Sequence, residues 1–366
     1  MTQCLTKKNF GLSYCRSLAT IAIIVLHTGF ILSTTFKFST DDNIILRLFV
    51  NCSMWAVPIF LMVTGVLNLN PQKDLPLKKL IKKYIARIFI AIAIFIAIYQ
   101  VIDIFINHQS FGFNQILLYF ENLYRGKTYS PMWYLYMLIG LYLMMPMYRA
   151  FVRLGHETEI KFILIIYIIF ISIIPAIGTF KFTSGFYIHE LTIYPFYMFV
   201  GYVLNKGIVK IDRYKGVALF IVSTTLISFL TFIRWENNNE NLEVFWSYSS
   251  FLVILQSIGM FNLIMGSTYN LEWQEEQNRI EKAVTTNSKL KRVFSYFLIK
   301  IDDCSFGIYL IHIIFIRVFV TMDFVKTLIN NNSIYVILPL LVILNLFLSY
   351  IITRCIKNIP VFKFIL

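Results

Sequence analysis

Arg16 and His27 bracket a mostly apolar run, RSLATIAIIVLH. On a helix, eleven residues make three turns plus about 20°, so the two side chains share one face, about 16–17 Å apart along the axis. An ionisable group deep in apolar surroundings is costly to hold. It marks either a functional position or a histidine that bonds a neighbouring helix. As chemistry, the spacing suits a two-part task. The arginine's planar fork would grip phosphate, and a neutral imidazole at the far end would take a proton from an attacking hydroxyl. A donor with a phosphate-rich head and a long thioester arm, such as acetyl-coenzyme A, would span that separation. A second basic cluster, KKLIKKYIAR (78–87), places Lys83 and Arg87 four residues apart, on one face of an α-helix. It reads either as a further anion grip or as a membrane-boundary flank of snorkelling side chains.

The elements that must hold these groups are membrane helices. The chain has 366 residues, 58% hydrophobic and 14% charged, with a mean hydropathy of +0.70. Soluble domains average about a quarter charged residues, so the composition gives an all-α, polytopic integral membrane protein. A span needs about 20 apolar residues. Ten are expected, at roughly 14–35, 44–69, 81–106, 131–151, 161–179, 191–206, 216–233, 246–267, 303–322 and 333–355. The sixth is short and contains Pro195. Most of the 33 Lys and Arg residues fall in alternate connections, which sets both termini inside. The formal charge of +14 is then an orientation signal and implies no nucleic-acid partner. The expectation is one membrane domain over 1–366, without a cleaved signal, its longest inner loop at 269–302. The five cysteines, Cys4, Cys15, Cys52, Cys304 and Cys355, are scattered and argue against a disulfide framework or a metal site.

Further motifs follow in order: AVPIFLMVTGVL (56–67), KKYIARIF (82–89), MWYLYMLIGLYLMMP (132–146), YPFYMFVGYVL (194–204) and CSFGIYLIH (304–312). With Arg-x10-His in the first span, this series resembles the acyltransferase-3 family, membrane enzymes that O-acylate sugars. The likeness is to stand-alone members that lack an appended extracytoplasmic domain. It implies that His27 is the catalytic histidine, that Arg16 partners the acyl donor, and that Lys83 and Arg87 match a basic pair also linked to the donor. Trp133, Tyr309 and His312 match supporting positions, and His312 is equally a helix-bridging histidine. Trp133 and Tyr134 also suit an interfacial belt. Many relatives carry a glutamate in the fourth span that orients the histidine, whereas this chain has Leu138 there. Asp103, Glu121 and Glu190 are the candidate replacements. Glu190, in FYIHELTIY (186–194), is the first choice, and its plainer reading is a loop carboxylate.

The resemblance therefore implies a bacterial inner-membrane O-acyltransferase. It would move an acyl group, acetyl being the commonest case, from cytosolic acyl-coenzyme A to a hydroxyl of a surface glycan or its lipid-linked precursor. No metal is implied, and the oligomeric state is open. The alternative is a transporter or flippase for glycans or small solutes. Paired Gly/Pro-interrupted segments in corresponding halves, which would favour a transporter, are not evident in the sequence.

Overall fold

A computed structural model describes residues 10–126, 129, 131–178, 192–237, 245–265 and 289–366. Most of these residues are helical, with no strand among them. Lipid offers no hydrogen bonds to an exposed backbone, so helices satisfy the peptide groups within each segment.

The elements in chain order are α1 (Phe10–Thr35), α2 (Thr40–Cys52), α3 (Ala56–Asn68), α4 (Leu77–Ile106), α5 (Phe113–Arg125), α6 (Met132–Leu143), α7 (Met145–Leu154), α8 (Glu157–Gly178), α9 (Ile193–Asn205), α10 (Arg213–Asn237), α11 (Phe251–Met265), α12 (Lys289–Thr321), α13 (Asp323–Asn331), α14 (Ile334–Ile356) and α15 (Pro360–Ile365). Each of the ten expected spans coincides with a helix or helix pair. Seven are long and apolar enough to cross a membrane, and α6 with α7 makes an eighth bent by 51°. The sixth and eighth correspond to α9 and α11, of only 13 and 15 residues. The protein is therefore an all-α, multi-pass membrane protein.

The helices form two compact units, Met1–Asn70 with Gly155–Ser305, and Pro71–Leu154 with Phe306–Leu366. In the first unit, α3 and α9 cross with their backbones in contact. A Cβ built on Gly65 would lie 1.9 Å from the Met198 carbonyl oxygen, and one on Gly201 would lie 2.3 Å from that of Met62. Small residues at a crossing let membrane helices approach this closely, where packing replaces the missing hydrophobic drive. Polar side chains join other helices of this unit. Gln256 Nε2 on α11 donates to the Asn51 carbonyl at 2.9 Å and to Thr224 Oγ1 at 2.8 Å, and Asn51 Nδ2 donates to Thr231 Oγ1 at 3.2 Å. All four residues are buried.

The second unit contains two departures from the sequence reading. Helix α4 opens with a π turn over Leu80–Ile85, whose wider spacing breaks the α-helical phase. The amphipathic helix α5 was not anticipated. It exposes Phe113, Ile116, Leu117, Phe120 and Tyr124 along its length. In the first unit, a connection over 269–302 was expected, yet residues 289–302 are already the opening turns of α12.

Candidate functional site

Arg16 and His27 are both carried by α1, in the first unit. The Arg16 guanidinium is held by a carboxylate that sequence reasoning missed. Its Nε donates to Asp302 Oδ1 at 2.6 Å and its Nη2 to Asp302 Oδ2 at 2.9 Å. This fork-to-fork geometry is the strongest arrangement available to the two groups. The Asp302 side chain is 3% exposed and that of Arg16 28%. One turn before Asp302 on α12, the Leu298 carbonyl accepts from Ser17 Oγ, the residue next to Arg16, at 2.5 Å, so α1 holds two successive turns of α12. An arginine has five N–H donors, and Asp302 occupies two of them, on one edge. His27 lies three turns further along α1, half-buried. It is followed by Thr28, which is 1% exposed and whose hydroxyl finds no hydrogen-bond partner among the described residues.

Lys83, Arg87, Trp133, Tyr309 and His312 belong to the second unit. Lys83 and Arg87 do not present a simple four-residue pair. Lys83 lies in the π turn and is exposed, while Arg87, one turn on, is half-buried. Arg87 Nε and Nη2 donate to the backbone oxygens of Ile365 and Leu366 at 2.5 and 3.0 Å, and its guanidinium lies 5.2 Å from the Phe306 ring centre.

Tyr309 and His312 come together with the fourth-span aromatics. The Tyr309 ring is 5.5 Å from Tyr134 and 5.9 Å from His312, and Tyr134 meets Trp133 edge-on at 6.1 Å. The Tyr309 hydroxyl donates to the Pro131 carbonyl. His312 is fully buried, with Nδ1 3.1 Å from the Ile308 carbonyl. A carbonyl only accepts, so that nitrogen carries the proton and Nε2 keeps its lone pair in the neutral ring. Asn345 Nδ2 donates to the His312 backbone oxygen at 3.1 Å, and Ser349 Oγ donates to Asn345 Oδ1 at 3.0 Å.

Of the carboxylates considered as partners for the histidine, Asp103 pairs with Arg317 at 2.5 Å and Glu121 with Arg125 at 2.7 Å. Both are therefore neutralised by arginines within their own unit. Glu190 lies outside the described residues. Leu138 is buried among apolar neighbours of α6. The one sign of Asp302 in the sequence was an acidic pair, Asp302–Asp303, at the lip of an apolar span, where carboxylates are costly without a partner.

Comparison with curated proteins and with solved structures gives no match. The family model described as an acyltransferase domain matches residues 9–354, so it covers most of both compact units and includes Arg16, His27, Lys83, Arg87, Trp133, Asp302, Tyr309 and His312. The chain belongs to the acyltransferase-3 family and is an acyltransferase of the membrane type.

Proposed function

We propose that this protein is an O-acyltransferase that takes an acetyl group from cytosolic acetyl-coenzyme A. It places the group on a hydroxyl of a cell-surface glycan or its lipid-linked precursor, in a bacterial inner membrane with both chain termini cytoplasmic. His27 is the general base. It removes the proton from the acceptor hydroxyl as that oxygen attacks the thioester carbonyl. The carbon–sulfur bond then breaks, and the coenzyme thiolate takes a proton back from the imidazolium. Arg16 faces the donor with the N–H groups that Asp302 leaves over, and Asp302 fixes its orientation. Lys83 and Arg87 add positive charge for the donor's phosphates. Trp133, Tyr309 and His312 shape the second unit. Glu190 stands as the carboxylate that orients His27.

The observation that carries this reading is the family match across 9–354, with Arg16 and His27 on one helix and the arginine held in a fixed geometry. The test follows radiolabelled acetyl-coenzyme A turnover by purified protein in nanodiscs, with and without extracted glycolipid. Loss of general-base catalysis costs about 10²–10⁴ in rate, so His27→Ala should lower turnover by that factor, while Arg16→Ala mainly raises the donor KM. A folded wild type that neither binds nor consumes any acyl-coenzyme A would end this reading.

A further inference from the structure

Within the second unit, the segment over 71–80 and helix α7 enclose a cleft of about 570 Å³. Lys73, Arg149 and Arg153 line it, and Asp74 is the one acid among its described lining residues. Apolar walls come from Pro71, Leu75, Pro76, Met145 and Pro146. The cations are built into the fold. Arg149 Nη2 donates to the Lys73 backbone oxygen at 2.5 Å, tying the segment to α7. The Lys73 ammonium sits 3.4 Å from the Tyr84 hydroxyl and 5.7 Å from that ring's centre.

We infer that this cleft is the seat of the donor's adenosine 3′,5′-bisphosphate head, with Lys73, Arg149 and Arg153 binding its phosphates. The inference rests on the acyl-coenzyme A reading above and gives that donor a place that the Lys83 and Arg87 motif alone did not. Three considerations support it. Three cations against one carboxylate leave a positive field that phosphate would neutralise, and arginine forks match phosphate oxygens. The volume falls within the roughly 300–1,000 Å³ of small-molecule sites, more than a lone phosphate needs, and the apolar walls suit a purine ring. Burial, then repulsion from Lys79, Arg149 and Lys83, pushes the Lys73 ammonium down to about 8, and the negative charge of a bound phosphate would stabilise the charged form.

An anionic phospholipid headgroup offers the same phosphate chemistry, so the experiment separates the two sources. Full-length protein in phosphatidylcholine nanodiscs is titrated with adenosine 3′,5′-bisphosphate, which has the coenzyme's base and phosphates but no thiol arm. The wild type is expected to bind it. Lys73→Gln and Arg153→Gln should each weaken binding about tenfold, the scale of one charge-assisted contact, and Arg153→Glu should weaken it further. Arg153 is exposed, so its substitution spares the fold. Ala150→Trp, which fills the cleft without changing charge, should also reduce binding.

Wild-type affinity in all four variants overturns the cleft assignment. If acetyl-coenzyme A is still turned over normally, the acyltransfer reading survives that failure. No bisphosphate binding by the wild type, or its full displacement when phosphatidylglycerol enters the nanodisc, overturns the coenzyme assignment in favour of a headgroup or an empty basic flank. A wild type that binds no acyl-coenzyme A at all removes both proposals.

Discussion

At Arg16 the decisive fact is its partner. A guanidinium at a membrane boundary alone reads as an anion grip, yet here two of its N–H groups already face Asp302, 286 positions away in the chain. Breaking a largely buried pair leaves the other charge uncompensated, at about 3 kcal/mol. Asp302→Ala should therefore destabilise the protein by about that amount in thermal or denaturant unfolding, and it should raise the donor KM as Arg16→Ala does. The double variant should cost much less than the sum of the two single changes, because each single change strands a charge that the double change removes. Additive losses would mean that the two residues act independently. Arg16→Lys keeps the charge but not the fork, and it should recover only part of the stability. Lys73 gives a second prediction, in pH. Its ammonium titrates at about 8 in the folded protein against 10.5 for an ordinary lysine. The folded state is thus charged, and bears the whole penalty, below about 8. Between about 8 and 10.5 the unfolded chain binds more protons, so stability should rise with pH across that window and gain nothing more above it. Phosphate binding moves the opposite way. It should weaken as pH passes 8, and Lys73→Arg, which stays charged, should abolish that weakening when the bisphosphate titration is repeated from pH 7 to 9.

At the level of elements, sequence and structure agree where hydropathy decides and part where tertiary partners decide. The runs around residues 14–35, 81–106 and 333–355 announce helices because nothing else satisfies a backbone in lipid. The π turn at Leu80–Ile85 is not announced, since the same residues would also make an α turn, and it changes which side Lys83 presents. The pairing of Arg16 with Asp302 is likewise silent, because a charge pattern names no partner. The glycines in VTGVL and FVGYVL were legible as motif letters, and the structure supplies their reason. Gly65 and Gly201 are the two halves of one helix crossing. A methyl group 1.9 Å from the Met198 oxygen cannot be accommodated by a side-chain shift, because the obstacle is backbone. Gly65→Ala should thus force α3 and α9 apart and cost about 3 kcal/mol, the upper range for overpacking a tight core. Gly140→Ala is the matched control. A Cβ there meets nothing within 4 Å, and replacing a mid-helix glycine should stabilise by about 0.5–1 kcal/mol. Equal destabilisation of both variants in unfolding experiments would show that glycine flexibility, and not close approach, is what the crossing uses.

For the whole molecule, the open variable is how many helices cross, and the argument turns on parity. Seven helices are long enough and the bent pair makes eight, while α9 and α11 have 13 and 15 residues. At 1.5 Å per residue these two reach about 20 Å and 22 Å, short of a hydrocarbon core about 30 Å thick. Both are largely buried, so protein shields much of their surface from lipid. If both cross with the help of their flanking segments the total is ten, and if neither crosses it is eight. Either even count returns the chain to its starting side. If only one crosses, the two termini lie on opposite sides. The concentration of Lys and Arg in alternate connections favours the even solutions with both ends cytoplasmic. Cys355, exposed at the end of α14, is a natural reporter, because Cys15 and Cys304 are buried. In a Cys4→Ser, Cys52→Ser background, a membrane-impermeant maleimide should label Cys355 in inside-out vesicles and fail to label it in right-side-out spheroplasts. A cysteine placed at Thr40, at the exposed start of α2, should show the reverse pattern after a single crossing of α1. Cys355 labelling from the outside, with Thr40→Cys also outside, would make the crossing count odd and leave only one of α9 and α11 spanning. The donor cleft provides an independent check, since the 71–80 segment must face the same compartment as Cys355 if cytosolic coenzyme is to reach it. A Gln72→Cys reporter beside the cleft should therefore label from the same side as Cys355, and bisphosphate should protect it.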